Sequence, residues 1–99
     1  MSGLSLRAQS QPGQFDLSGS LTRDHVMGLA SACQQLWKHN SLVLDLAGIQ
    51  QSDMAGLAWL VQLVGEAHKQ KVEVQLHNLP VTLRKLAKIS DVESLLPLQ

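Results

Sequence analysis

The side chains that could do chemistry are spread along the chain and form no recognised motif. The only cysteine, Cys33, lies in an apolar helical pattern, and the four histidines at positions 25, 39, 68 and 77 fall on different predicted elements. None of them has the ligand spacing of a zinc site. No GxxxxGK[ST], GxGxxG or GxSxG segment occurs, which predicts neither a nucleotide site nor a nucleophile elbow. We therefore expect a non-catalytic protein that uses no metal and no cofactor.

Two carboxylates, Asp16 and Asp45, are the remaining candidates for acid–base chemistry. Paired carboxylates could serve as general acid and general base. Each of these residues also fits a plainer role, one as a solvated residue at a strand end and the other as a turn former. We favour the plainer roles.

The segment from Ser52 to Gly56 is the strongest candidate for a site. An apolar strand precedes it and an apolar helix follows, so Asp53 is predicted to cap a helix N-terminus. Free backbone amides and the positive end of a helix dipole also suit an anion or a binding partner. Met54 and Ala55 carry no hydroxyl, and for Ser52 we favour a cap or turn role over modification.

The helix that starts at this turn is apolar on two sides. Its core-facing stripe is predicted at Leu57, Leu60, Val61, Val64 and His68. Trp59 and Leu63 lie off that stripe, and either another helix covers them or a partner does. We favour a partner-facing patch that is centred on Trp59 and extended by Met54.

The elements that must position this turn are read from hydropathy periods and turn residues. The sequence predicts a hairpin of Leu4–Gln9 and Gln14–Gly19, a helix from Thr22 to about Asn40, a strand at 41–46, a helix from 53 to about 71, a strand at 72–76, a helix from Pro80 and a short helix at 91–96. In the first helix the apolar face is 26, 29, 30, 33 and 36. This order predicts one α/β domain over residues 1–99, with a mixed sheet (an N-terminal hairpin, then parallel strands) packed by about four helices.

Composition narrows the possible partners. The 8 basic and 8 acidic residues give a formal net charge of zero, and only three residues are aromatic. Nucleic-acid binding is disfavoured, because there is neither a basic surface nor a set of stacking rings. No apolar run reaches signal-peptide or membrane-spanning length, so we expect a cytoplasmic protein without direct membrane insertion.

The segment from Asp45 to Leu60 resembles the signature of STAS domains. In that family a strand of the form hydrophobic-Asp-hydrophobic leads to Asp-Ser-Ser-Gly-Leu at the head of a helix, and here the turn reads Asp53-Met54-Ala55-Gly56. The sequences of residues 56–61, 66–70 and 83–96 are similar to those of the MlaB-type STAS subunits of Mla phospholipid-transport ABC complexes. The resemblance extends over nearly the whole chain and implies the fold deduced above.

The resemblance also implies a function. MlaB-type subunits bind the ATPase subunit of a complex that maintains outer-membrane lipid asymmetry, and they support its assembly and activity at the inner membrane. The alternative is an anti-sigma-factor antagonist, whose partner is an anti-sigma kinase and whose phosphorylated Ser corresponds to Ala55. No phosphorylation is expected there, and Met54 replaces the Thr or Ser common in the MlaB branch. With the start of the third helix, the predicted partner surface comprises Ser52, Asp53, Met54, Ala55, Gly56, Trp59 and Leu63.

Overall fold

The structure is a computed structural model that describes residues 3–26 and 32–97. Its strands are β1 (Leu4–Ala8), β2 (Gln14–Leu21), β3 (Ser41–Ser52) and β4 (Glu73–His77), and its α-helices are α1 (Arg23–Val26), α2 (Met54–Lys69) and α3 (Val81–Ile89). Segments of 3-10 helix cover Ala32–Lys38 and Glu93–Leu95. None of the described helices is both long and apolar enough to cross a membrane.

The four strands form one mixed sheet in the order β1-β2-β3-β4. β1 and β2 are antiparallel, whereas β2–β3 and β3–β4 are parallel. The predicted hairpin followed by parallel strands is therefore confirmed. Helices pack on the apolar face of this sheet, as the α/β prediction required.

β3 is longer than the strand predicted from the sequence. The predicted strand ends at residue 46, but β3 continues to Ser52. These residues pair with the second half of β2, where Ser18 lies opposite Gly48 and Leu21 opposite Ser52, with two register shifts on the way. A Cβ atom on Gly48 would lie 2.7 Å from the Ser18 Cβ, so glycine permits this close pairing. Pairing with β2, which is distant in the sequence, therefore extends β3 beyond its predicted end.

The core lies between the sheet and the helices and is rich in leucine. Its fully buried side chains include Leu17 of β2, Leu44 of β3, Leu60 of α2 and Leu83 of α3. Strand residues whose side chains point away from the helices form a polar face of the sheet. On this face Asp16 lies in register with Asp45. The sheet thus has one apolar and one polar face, as expected for antiparallel and mixed sheets with one covered side.

The helical segments at the two ends of the chain differ from their predictions. The first predicted helix appears as α1 and the 3-10 segment that ends at Lys38, and its predicted core residues Leu29 and Ala30 lie outside the described residues. Cys33 and Leu36 are buried as predicted, and burial raises the pKa of the Cys33 thiol. Of the helix predicted at 91–96, Glu93–Leu95 forms a single 3-10 segment, and Leu96 returns to an extended conformation.

Candidate functional site

The junction between β3 and α2 has the capping geometry that the sequence predicted. Asp53 is the N-cap with extended backbone, and its Oδ1 accepts a hydrogen bond from the Gly56 N–H at 2.8 Å. Its Oδ2 accepts a second bond from the Arg23 N–H at 3.1 Å. One carboxylate therefore ties the first turn of α2 to the first residue of α1.

These hydrogen bonds set the ionisation of the Asp53 carboxyl. The Gly56 N–H lowers its pKa most. Desolvation opposes this as the second-largest effect, and the Arg23 N–H, the Ala55 N–H and the Arg23 charge lower the pKa further. Because the bonds favour the charged form, Asp53 is an anion at neutral pH. Its capping oxygens are thus engaged inside the molecule.

Gly56 brings the head of α2 against the end of β2. A Cβ atom at this position would lie 2.0 Å from the Leu21 carbonyl oxygen. The same oxygen accepts a hydrogen bond from the Asp53 N–H at 3.3 Å. Only a residue without a side chain allows this approach, so Gly56 is buried against β2 and positions the head of α2.

An apolar groove opens beside the helix head, on what we call the Met54 flank of α2 (Met54, Ala58 and Val61). Met54 is 50% exposed, and its sulfur lies 3.7 Å from the Ser90 hydroxyl at the end of α3. The groove has a volume of about 310 Å³ and is lined by Met54, Leu57, Ala58, Val61, Gln62, Ser90 and Val92. Seven side chains thus frame a mainly apolar depression between two helices.

The end of α3, which the sequence did not predict to lie here, borders the groove. The start of the third helix was predicted beside the turn, whereas Ser90 and Val92, at its end, lie next to Met54. The signal that could have found them is Val92, an apolar residue directly after the polar helix end at Ser90 and Asp91. Only the packing of α3 against α2 turns that signal into a contact.

The Trp59 flank of α2, defined by Trp59 and Leu63, lies apart from the Met54 flank. Trp59 is half-buried against the core and lines a second cleft of about 340 Å³ together with Cys33 and Trp37. Of the residues that the structure describes, Gln62 alone lines both depressions. The single patch predicted around Trp59 and Met54 is therefore two surfaces.

Leu63 was predicted to face outward, and this is wrong. It is only 6% exposed, because the buried stripe of α2 is rotated from the predicted one and runs through Gly56, Leu57, Leu60, Leu63 and Ala67. The close approach of Gly56 to Leu21 of β2 fixes which side of the helix faces the core, and Leu63 lies on that side. Consequently His68 is exposed, and Val61 and Val64 are half-buried.

The remaining predicted residues come together at the junction. Ser52 and Ala55 are half-buried on either side of the capped turn, next to Met54 and Asp53. Ala55 occupies the position that corresponds to the phosphorylated Ser of anti-sigma-factor antagonists, and its methyl side chain carries no hydroxyl. The junction is therefore assembled as predicted, while Trp59 and Leu63 are not part of it.

Asp16 and Asp45 lie side by side, which the sequence did not predict. Asp45 is in the middle of β3 rather than at its end, and its Oδ1 accepts bonds from the Ala47 N–H at 2.9 Å and the Asn78 amide at 3.1 Å. These bonds, with a smaller effect from His77, lower the pKa of the Asp45 carboxyl. A carboxyl that serves as a general acid needs the opposite shift. Among the described residues, no three His, Cys, Asp or Glu side chains gather closely enough to hold a metal ion.

The family model of the MlaB STAS domain matches residues 4–97. The chain belongs to the MlaB-type STAS family. The match extends from the first residue of β1 to the second residue after the last helical segment, so every described strand and helix lies within the domain. No curated protein matches the sequence.

Solved structures confirm the STAS fold. The unphosphorylated anti-sigma factor antagonist SpoIIAA superimposes with a TM-score of 0.71 and 14% identity, covering 98% of this chain and 88% of that one. An anti-sigma factor antagonist from Mycobacterium paratuberculosis gives 0.67 at 17% identity, with 97% and 85% covered. The murine anion transporter Slc26a9, in its inward-facing state, gives 0.61 at 16% identity, with 95% of this MlaB-type domain but 18% of the transporter covered. At these identities the likeness concerns the fold alone.

Proposed function

We propose that this chain is a non-catalytic STAS subunit that binds the ATPase of an Mla-type phospholipid-transport ABC complex and supports its assembly and activity. Such a complex maintains the lipid asymmetry of the outer membrane. The subunit would act in the cytoplasm, peripheral to the inner membrane through its complex. The observation that carries the proposal is the exposed apolar groove at the head of α2, on a chain whose family model is of the MlaB type.

The groove has the properties of a protein-binding surface rather than a small-molecule site. It is open and mostly apolar, and Met54 at its rim exposes half of its surface. An unbranched thioether adapts its shape to an incoming side chain. An aliphatic or aromatic anchor from the partner, inserted between α2 and the end of α3, would bury this surface and supply binding energy.

The capped turn would orient this surface. Asp53 is engaged with Gly56 and Arg23, so it fixes the helix head and offers little free charge to a partner. Where the MlaB branch commonly has a hydroxyl after this Asp, Met54 provides apolar contact instead. We therefore infer that the interaction is predominantly apolar at this position.

Capture of the tagged full-length chain from its native host tests the proposal, followed by a titration against the purified ATPase subunit. We expect the ATPase to be captured. Met54→Asp introduces a charge into the groove and should cost at least ~2 kcal/mol, about 30-fold in affinity. Thermal melting of each variant separates loss of binding from loss of folding.

Val81→Asp is the matched control, because it makes the same change at another exposed apolar residue of the chain. Val81 is 67% exposed at the start of α3, about 13 Å along the helix from its end. The control should bind normally. Equal losses of ATPase affinity for Met54→Asp and Val81→Asp would contradict the proposal. The absence of the ATPase from the captured material would also contradict it.

An anti-sigma-factor antagonist is the second candidate function. The likeness in fold to SpoIIAA and to the mycobacterial antagonist favours it. Against it, Ala55 lacks the hydroxyl that phosphorylation of the family position needs. Capture of an anti-sigma kinase in place of the ATPase, with intact-mass spectra showing phosphate on Ser52, would support this candidate.

A further inference from the structure

The two edges of the sheet are protected differently. At the β4 edge, the Leu76 N–H donates to the Pro97 carbonyl at 2.9 Å, so the C-terminal segment covers part of that edge. β1 is the other edge, and among the described strands β2 is its only neighbour. Edge strands with unpaired backbone groups are templates for pairing with another strand.

The register of the hairpin identifies which backbone groups of β1 are free. Gln9 donates to the Gln14 carbonyl and Ser20 donates to the Gly3 carbonyl, so odd-numbered residues of β1 bond to β2. By alternation, the N–H and C=O groups of Leu4, Leu6 and Ala8 point away from β2. Within residues 3–26 and 32–97, no hydrogen bond engages these groups.

β1 lacks three of the features that can protect an edge, namely proline, lysine and a bulge. It contains no proline and no lysine, and its register with β2 is unbroken from Leu4 to Ala8, so no bulge twists it away. Leu4 and Leu6 are half-buried and pack against the core cluster, leaving apolar surface at the edge. Arg7 is the one charged residue of the strand.

We propose that the β1 edge pairs with β1 of a second copy of this chain in an antiparallel, two-fold arrangement. Pairing centred on Leu6 places Leu4 opposite Ala8 of the second copy, so all outward backbone groups find partners. The same register puts Ser5 opposite Arg7. Pairing centred on Arg7 would instead place two like charges together, which is unfavourable.

A second copy fits this edge in charge as well as in backbone geometry. The formal net charge of the chain is zero, so two copies have no overall Coulomb repulsion. Leu6 would meet Leu6 on the helix-covered side, extending the core across the two-fold axis. The four-stranded sheet would then become a continuous sheet of two domains, independently of the groove at Met54.

The test measures association of the full chain by sedimentation and by amide hydrogen exchange over a concentration series. We expect a reversible dimer, with protection of the Leu4, Leu6 and Ala8 amides increasing with concentration. The amides of Ser5 and Arg7, which bond to β2, should stay protected throughout. This alternation distinguishes edge pairing from association through any other surface.

Two matched pairs of variants sharpen the test. Ala8→Pro removes an outward N–H without touching the β2 pairing, and should weaken the dimer at least ~10-fold, whereas Ala8→Val keeps the N–H and should not. Ser5→Glu adds an attractive charge opposite Arg7 of the second copy and should strengthen the dimer, whereas Ser5→Arg should weaken it. Both Ser5 variants lose the same 3.1 Å contact with the Ser18 hydroxyl.

A chain that stays monomeric at every concentration would overturn the proposal, as would equal dimerisation of Ala8→Pro and Ala8→Val. Equal behaviour of the two Ser5 variants would exclude the register centred on Leu6. Protection of the outward amides that appears only with the ATPase bound would assign the edge to a partner strand. None of these results bears on whether Met54→Asp weakens ATPase binding, so the two proposals fail separately.

Discussion

The two flanks of α2 are similar in sequence pattern but differ in their surroundings in the fold. Met54 and Leu63 are both apolar residues off the predicted core stripe, yet Met54 is 50% exposed and Leu63 only 6%. On the Met54 flank, the end of α3 leaves an open groove. On the Trp59 flank, Leu63 faces the core beside the 3-10 segment. What packs alongside a helix, and not its own periodicity, decides which apolar residue is left for a partner.

This difference separates binding from stability along one helix. A residue on an open groove contributes little to folding and is available to a partner, whereas a buried residue does the reverse. The Asp53 junction lies between these cases, since its hydrogen bonds act within the molecule and fix the orientation of the groove. Substitutions on α2 should therefore affect either partner binding or folding stability, according to their position. Each of the following experiments can contradict this separation.

The largest effect on folding is expected for Leu63→Ala. Removing a buried leucine side chain should lower the free energy of unfolding by about 2–5 kcal/mol. Met54→Ala, the matched change on the open flank, should cost less than ~1 kcal/mol, because half of that side chain is already in water. Urea denaturation of both variants provides the comparison. Similar losses would show that the two flanks are not energetically distinct.

The next largest effect is expected at the helix head, for Gly56→Ala. The new methyl group would collide with the Leu21 carbonyl, a backbone atom that cannot move aside alone, and should cost about 1–3 kcal/mol or more. Gly65→Ala on the same helix is the control, because a Cβ atom there meets nothing within 4 Å. That variant should be more stable than the native chain by about 0.5–1 kcal/mol. If both variants changed the melting temperature in the same direction, the close packing at Gly56 would be refuted.

These residues also show how far the sequence reaches. The order of elements, the N-terminal hairpin and the Asp53 cap were predicted, because each rests on residues that lie close together in the sequence. The STAS family assignment was confirmed as well, since its motif is local.

Features that depend on distant segments were predicted wrongly or missed. The extension of β3 to Ser52 requires pairing with the end of β2, and the rotation of α2 follows from contact at Gly56 with Leu21. The groove itself needs Val92 to lie beside Met54. None of these contacts leaves a period or a turn residue in the local sequence.

Trp59→Ala examines the flank on which the sequence placed the partner. Trp59 is half-buried against the core, so its truncation should lower the free energy of unfolding by about 1–3 kcal/mol, less than for a fully buried tryptophan. We expect its effect on ATPase affinity to be smaller than that of Met54→Asp. Denaturation and binding titrations on the same preparation measure both quantities. A larger loss of affinity at Trp59 would move the partner surface to the Trp59 flank.

The smallest effect is expected for the capping carboxylate and depends on pH. Hydrogen bonds from Gly56 and Arg23 depress the folded-state pKa of Asp53, so its contribution to stability is present above the unfolded pKa of about 3.9 and is lost as pH falls through the lower folded value. Asp53→Asn keeps a capping oxygen but not the charge. It should be less stable than the native chain at pH 7 by no more than about 0.5–2 kcal/mol, and the difference should shrink as the pH is lowered below about 4. Urea denaturation of both proteins across this range measures the difference. A stability difference between the two proteins that stays constant with pH would mean that the charge of Asp53 does not stabilise the contact between the starts of α1 and α2. Packing at Gly56 alone would then hold the head of α2 in place.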